Sequence, residues 1–264
     1  MKYFAFVVVL FQLLFVQAQE FKTAFFKDYS ISADSFIGVD DFENSYYINQ
    51  NNLYKKTAQT TYSYANSQLG EITSVDITNP LKILVFYRDF NTVLLLDNRL
   101  NELTTPINFT TESFSKNITF TNISSNNNLW LYSLDDHKLQ LWNHQTKKIQ
   151  FTSQSLNLFI DDFKPIRQFS TYKSCWLVGE RNILKFNEYG TYIESNEVNN
   201  SDLKAFDEGY IVLEDNKLFY QDPSRELNQI DLNPAVIIKS FYVNTNHIYI
   251  FDGTKIFVFK IIKI

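Results

Sequence analysis

Six short segments of the chain are variants of one pattern: Leu53–Thr57, Val93–Asp97, Leu139–Asn143, Ile183–Asn187, Leu218–Asp222 and Ile256–Lys260. Their first residues lie 40, 46, 44, 35 and 38 positions apart. A repeat of about 40 residues with several strands per unit is the mark of a β-propeller blade. The pattern therefore predicts an all-β chain built of six repeated units.

A second apolar run precedes each repeated segment. These runs are Tyr46–Ile48, Lys82–Tyr87, Leu129–Tyr132, Cys175–Val178, Tyr210–Leu213 and His247–Phe251. They lack the polar alternation of a half-exposed strand, as expected where sheets cover both faces. Short polar connectors of Asn, Asp, Glu and Gly residues join the two members of each pair, at hairpin lengths. A weaker strand precedes the pair, as at Ile118–Ile123 and Lys204–Phe206, and an outer strand follows it, as at Thr61–Tyr64, Lys148–Thr152, Thr191–Glu194 and Leu227–Ile230. The sixth unit shows no outer strand of its own, while Lys22–Tyr29 has strand composition and no unit. The prediction is a six-bladed β-propeller of four-stranded blades, closed by the N-terminal strand.

Composition fits this reading. Aromatic residues make up 17% of the chain, with 25 Phe and 16 Tyr, and such residues favour strands. With only 6 Gly and 5 Pro, Asn and Asp must form most turns. The acidic pairs Asp40-Asp41, Asp135-Asp136 and Asp161-Asp162 read as solvated turn residues. A net charge of −5 and the absence of any Lys/Arg run argue against a nucleic-acid partner.

The first 18 residues read as a signal peptide: Lys2, an apolar run from Tyr3 to Val16, then Val16-Gln17-Ala18. Cleavage before Gln19 leaves a single propeller domain over 19–264, with no further segment long enough to span a membrane. The expected address is periplasmic or associated with the outer membrane. Cys175 is the only cysteine and excludes an intrachain disulfide; its apolar surroundings mark it as a buried residue. Asn108, Asn117, Asn122 and Asn199 head glycosylation sequons, relevant only in a glycosylating host.

No reaction motif stands out. His137, His144 and His247 have no ligand spacing and read as turn or strand-end imidazoles. There is no Gly-rich phosphate loop, no nucleophile elbow and no EF-hand loop, so no cofactor is expected. Charged residues do recur in the hairpins between the paired strands, among them Arg88, Asp89, Asp135, Asp136 and Arg181. They form a binding face of mixed charge or simply serve turn chemistry. The long connectors at 104–117 and 153–164 belong to the same face, and the second carries Leu156, Leu158 and Phe159. These apolar residues either anchor an interface or fold back over a blade. Trp130 and Trp176, each within an apolar strand, are expected to be structural.

The segment Ser74–Asn101 resembles uncharacterised exported β-propeller proteins of Bacteroidetes-type bacteria. More loosely, the chain is similar to the plug subunit of the type 9 secretion translocon. The resemblance implies no catalytic residues. The repeat pattern, the export signal and the lack of a reaction motif instead predict a non-enzymatic cell-envelope module with an envelope protein as partner, at a surface including Arg88, Asp89, Asp135, Asp136, Phe159 and Arg181. The alternative is a metal-dependent hydrolase or lyase with its ligands at the propeller axis, one per blade.

Overall fold

The structure, a computed structural model, describes residues 21–198 and 202–263. The expected signal peptide at 1–18 and the sequon at Asn199 lie outside the described residues. The chain begins with β1 (Phe21–Ser30) and then forms blade 1 from β2 (Ser35–Val39), β3 (Ser45–Asn49), β4 (Asn52–Lys56) and β5 (Thr61–Tyr64). Blade 2 is β6 (Ser74–Asp76), β7 (Ile83–Tyr87), β8 (Thr92–Leu96) and β9 (Ile107–Asn108). Blade 3 is β10 (Phe120–Ile123), β11 (Asn128–Ser133), β12 (Lys138–Asn143) and β13 (Lys148–Thr152). Blade 4 is β14 (Arg167–Ser170), β15 (Ser174–Val178), β16 (Asn182–Asn187) and β17 (Tyr192–Glu197). Blade 5 is β18 (Leu203–Phe206), β19 (Gly209–Glu214), β20 (Lys217–Gln221) and β21 (Leu227–Ile230). Blade 6 is β22 (Ser240–Val243), β23 (His247–Phe251) and β24 (Lys255–Lys263), completed by β1. The six-bladed propeller and its N-terminal closure are as the repeat predicts.

The apolar runs are explained by where the core sits. The hydrophobic residues fall into six clusters, each between two neighbouring blades. A middle strand feeds two of them by its alternation. In β11, Leu129 and Leu131 pack towards blade 2, while Trp130 and Tyr132 pack towards blade 4. In β8, Val93 and Leu95 face blade 3, and Leu94 and Leu96 face blade 1. Every residue of β7 and β8 is buried for this reason.

The repeated segment also sets the next turn. Its last residue caps the bend into the outer strand with a side-chain oxygen. Asp97 accepts from the N–H groups of Arg99 and Asn101, Asn187 from those of Tyr189 and Thr191, and Thr57 from those of Gln59 and Thr60. Asn143 and Asp222 do the same in blades 3 and 5. Blade 6 makes no such bend, because its outer strand is β1, and Lys260 stands at that position.

Several local expectations need correction. The stretch 104–117 is not one long connector: it contains β9, a two-residue outer strand paired with Thr92 and Val93. Asp40 is not a solvated turn residue. Its side chain is fully enclosed, accepts hydrogen bonds from Phe42 N, Asn44 N and Tyr46 Oη, and lies 3.6 Å from the buried Lys55 ammonium. His144 is not an exposed imidazole but 6% exposed, with Nε2 3.5 Å from Lys82 Nζ. Cys175, Trp130 and Trp176 are buried as expected.

Trp130 and Trp176 fill the space between blades, the latter stacked on Phe169 at 5.0 Å. Truncating either to Ala should cost roughly 3–5 kcal/mol; denaturant unfolding showing under about 1 kcal/mol at both would contradict the packing. His144 generates a pH dependence. Burial, reinforced by the charges of Lys82 and Lys147, lowers its pKa from 6.5 to about 4. The unfolded chain takes up the proton first, so the stability is full above pH 6.5 and falls as pH drops towards 4. Replacing His144 by Gln should flatten the loss between pH 7 and 4.5 by on the order of 2–3 kcal/mol. Identical urea-unfolding profiles for the two proteins across that range would show the imidazole to be solvated.

Candidate functional site

The innermost strands β2, β6, β10, β14, β18 and β22 surround an axial channel of about 490 Å³. Each contributes one edge, so the channel wall is assembled from residues roughly a blade apart in sequence. A chain of polar contacts runs along it. Asp76 accepts from Thr78 N at 2.8 Å through Oδ1, and from Asn122 Nδ2 at 3.1 Å and Ile123 N at 2.7 Å through Oδ2. Asn122 Oδ1 accepts from Gln168 Nε2 at 3.0 Å. These bonds join blades 2, 3 and 4. Thr78 Oγ1 donates to Ser170 O at 3.3 Å, which links blade 2 to blade 4.

Blade 4 is tied to blade 5 by Arg167, whose guanidinium lies 3.4 Å from Asp202 Oδ1 and donates to Leu203 O. Between blades 6 and 1 the contact is aromatic. Gly38 lies against the Tyr242 ring, where an added Cβ would come within 2.5 Å of a ring carbon. The Tyr242 hydroxyl is held neutral by burial, with the carboxylates of Asp76 and Asp41 adding to the effect. Lys204 of β18 also lines the channel. Its side chain is half-buried among the surrounding wall residues. That enclosure lowers its pKa to about 8; Arg167 adds repulsion, and Asp202 and Asp76 offset part of it.

The hairpins between the second and third strands lie at the end of the ring where the blade-to-blade connectors also run. The structure brings Arg88, Asp89, Asp135, Asp136 and Arg181 onto this face, on hairpins of the consecutive blades 2, 3 and 4. Arg88 is exposed at the channel mouth, 5.5 Å from the Phe120 ring, and Asp89 is exposed beside it. Asp135 accepts from Asn117 Nδ2 at 3.3 Å and Asp136 pairs with Lys116, so these two bind their hairpin to the preceding connector. Arg181 lines a second cavity of about 500 Å³ with Glu180, Ile166 and the 160–164 stretch. Phe159 is turned inward. It stacks on Tyr192 at 4.5 Å and meets Phe186 edge-on, while Leu156 is fully buried. The 153–164 connector folds back over blade 4, and Leu158 is its exposed apolar residue, at 71%.

Sequence reasoning missed Asp76, Asn122, Arg167, Gln168 and Lys204. Their signal was the polar residue placed inside each weak first strand, as in Ser74-Val-Asp76 and Leu203-Lys-Ala205. Among the described residues no three His, Cys, Asp or Glu side chains gather as a metal-ligand set. Asp76 is the one carboxylate lining the channel among the described residues, and both its oxygens are engaged. No described helix is long and apolar enough to cross a membrane.

No family model matches this sequence, and no curated protein matches it. Solved structures do. A catalytically inactive virginiamycin B lyase from Staphylococcus aureus with quinupristin superposes with a TM-score of 0.59 at 10% identity, covering 92% of this chain and 100% of that one. The WD40 domain of Neurospora crassa Pan2 gives 0.53 at 11% identity, covering 86% and 74%. BBS1N in complex with ARL6DN gives 0.53 at 10% identity, covering 85% and 77%. At such identities the likeness establishes a shared fold, on which unrelated functions are carried.

Proposed function

We propose that the chain is a non-enzymatic cell-envelope propeller that docks a partner protein on the hairpin face of blades 2, 3 and 4, within a secretion or outer-membrane complex. The observation that carries the reading is the grouping of exposed apolar tips among charges of both signs. Phe90 is 48% exposed and Leu134 47%, on the hairpins that carry Arg88, Asp89 and Asp135, and Leu158 is 71% exposed on the 153–164 connector, with Arg181 on the hairpin of blade 4. Apolar anchors with a charged rim are the usual anatomy of a protein interface. The envelope address rests on the N-terminal run from Lys2 to Ala18. The complex of BBS1N with ARL6DN provides a precedent for a similar fold engaging a protein. The rival reading, a metal-dependent hydrolase or lyase at the axis, has the lyase likeness as its support and lacks a ligand set among the described residues.

The test is recovery of the partner from envelope extract by the tagged protein and by the Arg88→Glu, Arg181→Glu and Leu158→Asp variants. All three sites are exposed, so melting temperatures should match the parent. Loss of a central contact should lower recovery about tenfold. Undiminished recovery by all three folded variants would place the interface elsewhere.

A further inference from the structure

Lys204 lines the channel on β18, where Asp202 and Asp76 act on it only at longer range. Its ammonium has no hydrogen-bond acceptor or ion-pair partner among the described residues. Enclosed charges are ordinarily paired, because desolvation is costly. Arg167, on the neighbouring strand, has a Nε that is buried without a partner, and its contact with Asp202 is long at 3.4 Å. Gln168 beside it is 7% exposed and donates through Nε2 to Asn122 Oδ1. Arg88 stands at the mouth with the Phe120 ring as its contact.

The lining carries three cations, Arg88, Arg167 and Lys204, against one carboxylate, Asp76, whose oxygens are already taken, with Asp202 beside Arg167 as a second nearby carboxylate. The whole chain has a net charge of −5, so a cationic axis is not a by-product of composition. The cavity of about 490 Å³ has the size of a small-molecule site. The Thr78–Ser170 bond links blades 2 and 4 at the end away from Arg88.

We propose that the axial channel binds a small molecule through an oxyanion group, a carboxylate or a phosphate, held by Lys204 and Arg167, with Arg88 guiding entry. An oxyanion supplies the acceptors that the Lys204 ammonium and the Arg167 Nε lack, in a site of low dielectric where charge-assisted bonds are strong. This assignment stands independently of the docking face.

Isothermal titration calorimetry at pH 7 with citrate and, separately, with inorganic pyrophosphate tests it and separates the two anion chemistries. At least one of the two should bind the wild type. Lys204→Met should weaken that binding at least tenfold, and Lys217→Met, on an exposed hairpin, should leave it within twofold. Lys204→Met should melt no lower than the wild type, since it removes an unpaired enclosed charge. A readout on the intact side chain completes the test. In the reductively ¹³C-methylated wild type, the Lys204 resonance should titrate at higher pH when the ligand is present, because a bound anion favours the ammonium. Binding of neither anion, undiminished binding by Lys204→Met, or an unmoved Lys204 titration would each overturn the proposal.

Discussion

The pairing of β1 with β24 holds the ring together. Nine residue pairs, from Phe21 opposite Lys263 to Ser30 opposite Lys255, bring the two ends of the domain side by side. Lys255 and Asp28 reinforce the seam at 3.0 Å, and the Phe25 and Phe259 rings meet edge-on at 5.9 Å. No disulfide assists, since Cys175 is buried and free. The hydrophobic core is distributed over six blade interfaces, so an open ring would leave the interface of blades 6 and 1 without its continuity. Closure also holds six inner strands around one axis, and the channel exists only as a consequence.

Legibility in the sequence followed burial. The second and third strands of each blade were readable because neighbouring blades cover both faces, producing unbroken apolar runs such as Ile83–Tyr87. Lys22–Tyr29 was readable by counting, as a strand without a blade. The outer strand of blade 2 was not, because Ile107 and Asn108 alone make it and Pro106 precedes them. The burial of Asp40 and His144 was hidden because their partners, Lys55 and Lys82, come from elsewhere in the chain. One regularity was present and unused: the Asp or Asn ending four of the repeated segments caps the following bend, and Lys260 breaks the series where β1 takes over.

The candidate sites divided along the same line. Hairpin residues such as Arg88 and Arg181 were legible because hairpins are local. Whether a loop residue faces outward was not, and Phe159 proved to stack on Tyr192 while Leu158 remained exposed. The channel residues were least legible of all. Asp76, Asn122, Gln168 and Lys204 meet at the axis, one per blade, and no spacing rule announces them. Two surfaces result, an outer face with apolar tips among mixed charges and an axis with an excess of cations. Their chemistry differs, apolar tips with charges of both signs on the face and cations within.

Hydrogen–deuterium exchange of the purified protein, resolved to the amides of β1 and β24, tests closure most directly. Both strands should exchange slowly and together, at a rate set by global unfolding, because opening the seam opens the ring. Exchange of residues 22–29 at the rate of an unstructured peptide, with the remaining blades protected, would show that the ring does not depend on that strand.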